Sequence, residues 1–358
     1  MFEKLLFNRK YAFIGSGVAK TTLYRFVHWK QIKHKGTIPR VIGKYCEGAL
    51  TGQEMKRYME RIKRAYIRYG WDASDYFAYH YDTLSHKERQ QFVGEYEKHW
   101  FAFRVNSLRS AEIYFQKWST YQHFEKYYKR DIIKVMSKVN LPAFELFVRN
   151  HPIFILKPFD STMGLGIHNV NVGEYESSDY ALDALLKENP DGFLAEELIV
   201  QDPEIAKIHP QSVNTLRVHT FRLRDGILVY KPYLRIGRGN SVVDNAGAGG
   251  IFTSVNEETG AIEKAVDEFC HEYTEHPDTG FPLIGYRIPR WEEAKSLARE
   301  LATVIEDSSY VGWDLALTEK GWVMIEGNFE AQFVFQMPYQ EGFRKDFEEI
   351  KRRIKTQR

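Results

Sequence analysis

The chain has 358 residues, of which 43% are hydrophobic and 15% aromatic, enough for a packed core and for two or three structural units. Its 2 cysteines lie far apart and exclude a disulfide framework or a zinc finger, and no run reaches the length of a transmembrane segment. The N-terminus lacks the features of a secretory signal, so we expect a cytoplasmic protein.

The formal net charge of +2 hides an uneven distribution. Residues 1–150 carry 28 Lys and Arg against 14 Asp and Glu, whereas the remainder carries 22 against 34. The basic half suits a polyanion, a phosphorylated substrate or an anionic membrane surface, but we favour the alternative of solvated helix faces that also dock on the acidic half. No helix is expected to gather its basic residues on one face as a nucleic-acid-binding helix would, and no known nucleic-acid-binding motif occurs. We therefore expect no nucleic acid as partner.

Residues 1–110 are predicted to form a helical N-terminal region. The helix over Thr51–Tyr69 opens with Thr51 as N-cap and Glu54 three residues later, which is a capping box. Apolar residues then recur at helical spacing as far as Gly70. Three further helices are predicted, over Ser74–Tyr81, Ser85–His99 and Ser110–Lys138.

The pattern changes near Leu141, and from Pro152 onward short alternating segments predict strands. They cover Ile153–Leu156, Ile167–Val172, Phe193–Val200, Leu216–Leu223, Gly226–Ile236, Gly250–Val255, Ala261–Val266 and a final hairpin of Val311–Leu317 and Trp322–Ile325. Helices are predicted over Ser177–Glu188, Arg290–Asp307 and Glu341–Thr356. Hairpins mixed with helices favour an α+β fold over a doubly wound sheet.

The final hairpin carries three oxygen ligands of the kind that metals bind. Depending on the register set by the turn at 318–321, Asp314 lies opposite either Ile325 or Glu326. Glu326 and Asn328 share a face of their strand because they are two residues apart. Two carboxylates and an amide oxygen suit a hard cation such as Mg²⁺. A solvated polar face of an edge hairpin is the alternative.

A glycine-containing loop after a predicted strand is a candidate phosphate cradle. Lys157 ends the strand, and Ser161, Gly164 and Gly166 follow in the loop, where backbone N–H groups can approach an anion. The lysine precedes the glycines and no helix follows, so the loop is neither a P-loop nor a dinucleotide fingerprint. An ordinary glycine hairpin is the alternative.

Two consecutive strands carry arginines that suit a phosphate oxyanion. Arg217 lies on the first strand and Arg235 on the second, and a guanidinium forks onto two oxygens. The glycine-rich run 244–250 follows and is typical of a loop that offers backbone donors. A surface ion pair is the alternative for each arginine. The histidines nearby are expected to be structural: His168, His209 and His219.

The order of these features resembles the ATP-grasp family. A lysine before a glycine loop, an acidic strand end and arginines precede an Asn-x-x-x-Gly-Gly loop, then Gly-Trp-Asp and Glu-Gly-Asn. The resemblance spans about residues 117–336, and its most specific segments are Asn245–Gly250 and Val311–Asn328. These are similar to segments of ribosomal-protein glutamate ligases and D-alanine–D-alanine ligases. The run Ser-Val-Asn-Thr-Leu-Arg is most similar to the sugar-transfer-associated branch.

The implied fold is an ATP-grasp domain in which two α+β subdomains clasp ATP. It would occupy residues 111–345, with the cleft between about 111–200 and 201–345, and 346–358 would form the end of a C-terminal helix. Many members carry a Rossmann-like domain before this region, whereas residues 1–110 are predicted to be helical. The identity of the substrates and the oligomeric state therefore stay open.

The resemblance also implies roles for individual residues. Lys157 would contact the nucleotide phosphates, and Asp202 or Glu204 the ribose. Adenine would be bound by Glu196 and by the segment that follows it, Glu197, Leu198 and Ile199. One or two Mg²⁺, with Mn²⁺ as a substitute, would be held by Asp314, Glu326 and Asn328. A second nucleotide lysine is expected upstream, and Lys117 is chosen over its rivals Lys126, Lys129 and Lys134.

The implied activity is that of an ATP-dependent carboxylate–amine ligase with an acyl-phosphate intermediate. Arg217 and Arg235 would stabilise developing charge, and the loop of Asn245 would close over the intermediate. The substrates would be a small-molecule carboxylate and an amine, with sugar-linked compounds of polysaccharide or sugar-conjugate modification among the candidates. One alternative is a kinase that phosphorylates a sugar or another alcohol, with His219 or Asp244 as base. A non-catalytic nucleotide-binding module is the other.

Overall fold

A computed structural model describes residues 25, 29, 37–46, 50–159, 166–241, 244 and 249–354. Its helices are α1 (Thr37–Tyr45), α2 (Gly52–Tyr69), α3 (Ala73–Ala78), α4 (His86–Arg89), α5 (Glu95–Val105), α6 (Leu108–Phe115), α7 (Lys117–Tyr128), α8 (Leu141–Asn150), α9 (Ser178–Glu188), α10 (Pro203–Ala206), α11 (Trp291–Val304), α12 (Gln336–Tyr339) and α13 (Arg344–Arg353). Its strands are β1 (Ile132–Val135), β2 (Ile153–Pro158), β3 (His168–Asn171), β4 (Phe193–Glu197), β5 (Thr215–Leu223), β6 (Gly226–Ile236), β7 (Ile251–Val255), β8 (Ile262–Asp267), β9 (Tyr310–Thr318) and β10 (Gly321–Asn328). Within these ranges, no helix combines the length and the apolar character needed to cross a bilayer.

The N-terminal region is mainly helical in its described part, as predicted. The capping box of α2 is confirmed, since Thr51 N donates to Glu54 Oε2 (2.8 Å) and Glu54 N donates to Thr51 Oγ1 (3.3 Å). The inner face of α2 packs with α1 and α3 around the fully buried Trp71. This region therefore has an aromatic core of its own.

Two of the predicted helices are wrong in extent. The segment Ser85–His99 is divided into α4 and α5, because the chain at Gly94 runs so close to the end of α2 that a Cβ would lie 2.5 Å from the Gly70 carbonyl oxygen. The segment Ser110–Lys138 contains α6, α7 and then β1. Helix α7 ends at Lys129, which has a left-handed φ of 49°. Strand β1 follows because its residues pair with β4, a long-range contact that helical periodicity does not report.

Two antiparallel sheets form the rest of the chain. The smaller has the strand order β1-β4-β2-β3 and is covered on one face by α8 and α9. The larger has the order β10-β9-β5-β6-β7-β8 and is covered on one face by α7 and α11, around Trp313. This arrangement confirms the α+β class.

The second face of the larger sheet is divided into two parts. An aromatic cluster from α5, α13 and residues 329–343 covers the part that carries Phe221 of β5 and Tyr230 of β6. The part that carries Arg217 and Asp314 lies outside this cluster. The candidate site therefore occupies the polar part of this face of the larger sheet, and the apolar part of the same face belongs to the hydrophobic core.

The outer face of α2 differs from the sequence expectation. Arg57, Arg61, Arg64 and Arg68 are all exposed and recur at intervals of three and four residues, which places them on one side of the helix. Arg61 pairs with Asp82 (2.9 Å), so part of this charge is neutralised locally. The expectation that no helix gathers its basic residues on one face was wrong.

Buried Asn106 fastens the helical region to the larger sheet. Its Nδ2 donates to the carbonyl oxygens of Tyr310 (2.8 Å) and Phe329 (2.9 Å). Its Oδ1 accepts from the backbone N–H groups of Ser309 (2.7 Å) and Tyr310 (2.9 Å).

We predict that Asn106→Ala lowers the free energy of unfolding by roughly 2–4 kcal/mol, because buried groups left unpaired cost about 1–3 kcal/mol each. Urea denaturation measures this change.

Asn150→Ala is the control, since Asn150 is an exposed amide at the end of α8. We expect it to leave the stability within about 0.5 kcal/mol of the parent. Equal stability of both variants would contradict the anchoring role of Asn106.

Candidate functional site

The smaller sheet presents a second face, opposite to its helices, that carries the sequence-predicted lysine. Phe154, Leu156 and Ala195 point into the core with α8 and α9, so alternation places Lys157 and Glu196 on the other face. In register, Lys157 lies opposite Leu194, and Glu196 lies between Ile132 and Ile155. The residues proposed to bind a nucleotide are thus brought together on one face.

The Glu196 carboxylate is buried between two cations. Its Oε2 accepts from Lys157 Nζ (2.8 Å) and from Arg130 Nη2 (2.9 Å). Burial alone would raise the pKa of Glu196, but the charges of Lys157 and Arg130 outweigh it and lower the pKa. Glu196 is therefore ionised at neutral pH and acts only as an acceptor.

The four upstream lysines differ in what they reach. Lys117 Nζ, at the start of α7, donates to the Pro158 carbonyl oxygen (2.9 Å), beside Lys157. Lys134 shares the open face of the smaller sheet, in register with Leu194. Lys126 pairs with Glu300 and Lys129 donates to the Lys320 and Trp322 carbonyl oxygens. The choice of Lys117 stays a prediction, and Lys134 is the rival nearest to Lys157 in sheet register.

The segment after β4 borders a small recess. Glu197, Leu198 and Ile199 line it together with Lys129 and Arg130, the hairpin turn 318–320 and Val323, around a volume of about 150 Å³. Asp202 caps α10 by accepting from Glu204 N (2.9 Å), and Glu204 pairs with Lys207 (2.6 Å). These two carboxylates are at the surface, where a ribose would be reached only from the edge.

Asp314 lies at the centre of the polar part of the larger sheet and is almost completely buried. Arg217 binds it in a bidentate manner through Nε and Nη2, and Arg235 Nη2 donates to its Oδ2 (3.1 Å). Burial alone would raise the pKa of Asp314, but the two guanidinium charges outweigh it and hold the pKa well below its usual range. The two arginines and the first carboxylate are thus one ion cluster.

Asp244 extends this cluster toward the glycine-rich loop. It accepts from Thr215 Oγ1 and from Thr215 N (3.1 Å), and it pairs with Arg235 (3.3 Å). Burial raises the pKa of Asp244 more than Arg235 and Thr215 lower it. Arg235 therefore bridges two carboxylates.

A β-bulge in β10 decides the register of the final hairpin. Trp322 and Met324 point into the core, so an unbroken strand would send Glu326 there as well. The pairing shifts between Met324 and Glu326, which turns Glu326 to the open face, opposite Asp314. The second of the two registers considered from the sequence is confirmed, with the shift produced by Ile325 in the strand rather than by the turn.

Glu326 and Asn328 complete the set. Asn328 Nδ2 donates to Glu326 Oε1 (3.0 Å), and both side chains present surface to solvent. Desolvation by the surrounding protein and the negative charge of Asp314 both raise the pKa of Glu326. Gly327 between them has no room for a side chain, because a Cβ would lie 2.8 Å from the Trp313 ring. Two carboxylates and an amide are therefore gathered at one edge of the sheet.

Part of the candidate phosphate cradle lies outside the described residues. This applies to Ser161, Gly164 and Asn245. Gly166 is described and has φ +74°, a left-handed conformation that favours glycine, and a Cβ there would lie 3.0 Å from Pro158 Cγ. Gly166 thus lies against the end of β2.

The histidines are structural, as expected. His219 is fully buried, its Nε2–H donates to the Gln332 carbonyl oxygen (3.1 Å), and burial together with Arg217 lowers its pKa to about 3. His209 bonds Ser212 Oγ (2.8 Å) and the Gly239 carbonyl oxygen (3.0 Å). His168 is exposed and bonds the Gly166 carbonyl oxygen (3.0 Å).

Sequence reasoning missed Arg130. Its side chain is 5% exposed and it contacts Glu196 on one sheet and the Met324 carbonyl oxygen (2.7 Å) on the other. Arg130 lies between Lys129 and Asp131, inside the segment Ser110–Lys138 that was predicted to be one helix. The run Ile-Ile-Lys-Val after it was the one signal that a strand begins there.

The ion cluster makes stability depend on pH. The pKa of Asp314 is lower in the folded than in the unfolded chain, so its contribution is present above about pH 4, the ordinary aspartate range, and is lost as the pH falls further. We predict that Asp314→Asn, which imitates the protonated acid, costs about 3–5 kcal/mol at pH 7 because it leaves two buried cations unpaired. The difference from the parent should narrow below about pH 4. Urea titrations at several pH values measure it.

Asp225→Asn is the matched control, because Asp225 also pairs with an arginine, Arg353 (2.8 Å), but at the surface. Its effect should be much smaller. Equal effects of the two substitutions would contradict the importance of burial at Asp314.

Comparison with known proteins identifies one matching family. Residues 130–352, more than half of the chain, match the family described as sugar-transfer associated ATP-grasp. No curated protein matches the chain.

Similar solved structures include D-alanyl-alanine synthetase A from Vibrio cholerae, with 11% identity over 68% of this chain and 66% of that one and a TM-score of 0.44. D-alanine–D-alanine ligase from Helicobacter pylori has 14% identity over 70% and 64%, with a TM-score of 0.44. The ATP-grasp ligase PsnB complexed with its minimal precursor has 12% identity over 76% and 71%, with a TM-score of 0.43. The chain thus spans slightly less than two thirds of the first two structures.

These distant likenesses say nothing about the reaction of this chain. The family match alone confirms the resemblance seen in the sequence. The chain belongs to the sugar-transfer associated ATP-grasp family.

Proposed function

We propose that this protein is an ATP-dependent carboxylate–amine ligase that works through an acyl phosphate. The observation that carries the proposal is the set of Asp314, Glu326 and Asn328, which the bulge in β10 brings to one face beside Arg217 and Arg235. A cluster of oxygen donors next to fixed guanidinium groups suits a metal-bound polyphosphate. Membership of the sugar-transfer associated ATP-grasp family supports the use of ATP.

The residues present fit a divalent cation. Asp314, Glu326 and Asn328 would hold it, because the set offers only oxygen ligands. Asp314 and Glu326 lie opposite each other in the strand register, and Asn328 bonds Glu326, so the three groups are close together. Mg²⁺ or Mn²⁺, when bound, neutralises charge on phosphate oxygens.

The nucleotide would lie between the two sheets. Lys157 and Lys117 would meet its phosphates, and Glu196 with the backbone of Glu197, Leu198 and Ile199 would bind adenine. Asp202 or Glu204 would reach the ribose, which would require that they give up their present partners. Ser161, Gly164 and Gly166 would cover the phosphates with backbone donors.

In the reaction, a substrate carboxylate oxygen attacks the γ-phosphorus of ATP, and ADP leaves. An amine nitrogen then attacks the carbonyl carbon of the acyl phosphate, the carbon–oxygen bond to the phosphate breaks with its electrons going to inorganic phosphate, and the amine loses a proton to the phosphate or to water. Arg217 and Arg235 would stabilise the charge on the phosphoryl oxygens, since they cannot lose their protons. The loop of Asn245 would exclude water, which otherwise hydrolyses the intermediate. The substrates would be small molecules, with sugar-linked carboxylates or amines as the first class to test.

The kinase alternative needs a base for an alcohol, and neither candidate is available. His219 has a pKa of about 3, and its Nε2–H is committed to Gln332. Asp244 is engaged by Thr215 and Arg235. Phosphoryl transfer to a carboxylate differs in this first step, because a carboxylate is already ionised and needs no base.

Hydroxylamine trapping tests the proposed reaction. With Mg·ATP, hydroxylamine and a panel of amino acids and uronic acids, we predict ADP together with a hydroxamate, the product of an acyl phosphate. Glu326→Gln should lower the rate by about 10²–10³-fold, the usual cost of losing one electrostatic stabiliser. Glu258→Gln, an exposed carboxylate in the β7–β8 turn, should react like the parent. Mass spectrometry and ADP release measure both.

Three results would contradict the ligase. A phosphorylated alcohol without hydroxamate would indicate the kinase. No phosphate release with any acceptor would indicate a nucleotide-binding module. Unchanged turnover in Glu326→Gln would show that the metal site is misplaced.

Nucleotide binding is tested separately at Lys157. We predict that Lys157→Ala raises the dissociation constant of Mg·ATP by about 10-fold to 100-fold, as expected for the loss of a charge-assisted hydrogen bond. Calorimetry measures it. Lys187→Ala removes an exposed lysine of α9 and should leave the affinity unchanged. Equal affinities of the two variants would contradict the placement of the phosphates.

A further inference from the structure

One buried side chain joins the two sheets at the end of the cleft where the recess lies. Arg130, between α7 and β1, donates through Nη2 to Glu196 Oε2 on β4 (2.9 Å). Through Nη1 it donates to the Met324 carbonyl oxygen on β10 (2.7 Å) and to that of Tyr128 (3.3 Å). The two nitrogens of one rigid fork thus hold a residue of each sheet.

The surroundings of Arg130 fix its position. Its side chain is only 5% exposed, and its guanidinium lies over the Tyr128 ring, 4.6 Å from the centroid. Its Nε–H is buried and has no partner among the described residues. The contribution of Arg130 is therefore the pair of terminal guanidinium nitrogens, which bond two acceptors at once. A lysine cannot reproduce this geometry, because its charge and donors are on one nitrogen atom.

The two hydrogen bonds of Arg130 involve strands assigned to opposite ends of a nucleotide, β10 to the phosphates and β4 to the base. Met324 directly precedes Ile325, the bulge residue that turns Glu326 toward Asp314. Glu196 directly precedes the segment 197–200 that lines the recess with Arg130 itself. Arg130 therefore contacts both the strand that carries the bulge and the strand that leads into the recess.

We propose that Arg130 is a positioning residue that couples recognition of the purine to placement of the metal ligand Glu326. This inference rests on the proposed function, since it assumes that a nucleotide occupies the cleft. By holding Glu196 Oε2, Arg130 keeps a carboxylate that can only accept hydrogen bonds facing the base. By holding the Met324 carbonyl, it keeps the bulge in register.

The chemistry of the carboxylate predicts which base is selected. The exocyclic amine of adenine can donate to a carboxylate, whereas the oxo group of guanine at the same position would face its negative charge. Discrimination between the two depends on a carboxylate that cannot rotate away, since a site with a fixed partner rejects the wrong group far better than a mobile one. Arg130 supplies this restraint in addition to the charge of Lys157.

The test compares Arg130→Met and Arg130→Lys with the parent protein in the binding of Mg·ATP and Mg·GTP by calorimetry. Both variants should bind ATP about 10-fold to 100-fold more weakly, the range for a lost charge-assisted hydrogen bond, while GTP changes less, so that the ATP/GTP ratio falls. Arg130→Lys retains the charge and serves if Arg130→Met fails to fold. Arg149→Gln, an exposed arginine of α8, is the control and should behave like the parent.

The outcomes separate the inference from the proposed function. Failure of the parent to bind ATP would overturn both. If the parent binds ATP, then an unchanged ATP/GTP ratio in the variants, or parental affinity in Arg130→Lys, would overturn the role of Arg130 and leave the ligase proposal standing.

Discussion

The ion cluster of Asp314 with Arg217 and Arg235 is the constraint on which the larger sheet depends. A carboxylate buried in the middle of a sheet is strongly destabilising unless it is paired. The pairing here comes from side chains of the two strands next along the sheet, β5 and β6, which present arginines in register with Asp314 and Thr215. The strand order β9-β5-β6 is therefore the order that satisfies the charge.

The helical region and the C-terminal segment pack on the same face of the larger sheet as the ion cluster. They cover the apolar remainder of the face that carries the cluster, and buried polar groups of the one bond to the other. Lys98, which is 1% exposed, donates to the Glu330 carbonyl oxygen (2.7 Å), and Gln336 bonds Val93 N (2.9 Å). The chain directly after Asn328 is thus held by α5, so the edge of the candidate site is shaped by residues outside the matched family segment.

Much of the fold could be read from the sequence because the signals were local. The capping box of α2 and the alternation of β6 each depend on residues close in the chain, and both were confirmed. Strand β1 was missed, since its local signal is a run of only four residues beside a helical pattern and the strand forms by pairing with β4. The division at residue 110 stays a prediction.

The candidate site was predictable in its residue types and less so in its geometry. Asp314, Glu326 and Asn328 were identified by type and spacing, but two registers were open because a bulge leaves no trace in the sequence. Arg130 was missed because its importance lies in two partners that are 66 and 194 positions away. Long-range contacts of this kind are invisible to any argument from spacing along one chain.

The bulge at Ile325 also has a consequence for how this protein can vary. The irregularity adds one residue to β10 between Met324 and Glu326, and Glu326 faces the open side only because Ile325 is accommodated out of register. If the strand straightened without a change in length, Glu326 would return to the side of Trp322 and Met324. Loss of one residue at this point would instead remove the irregularity and keep Glu326 opposite Asp314. Insertions should be tolerated at the tip, Glu319 and Lys320, where the chain is exposed.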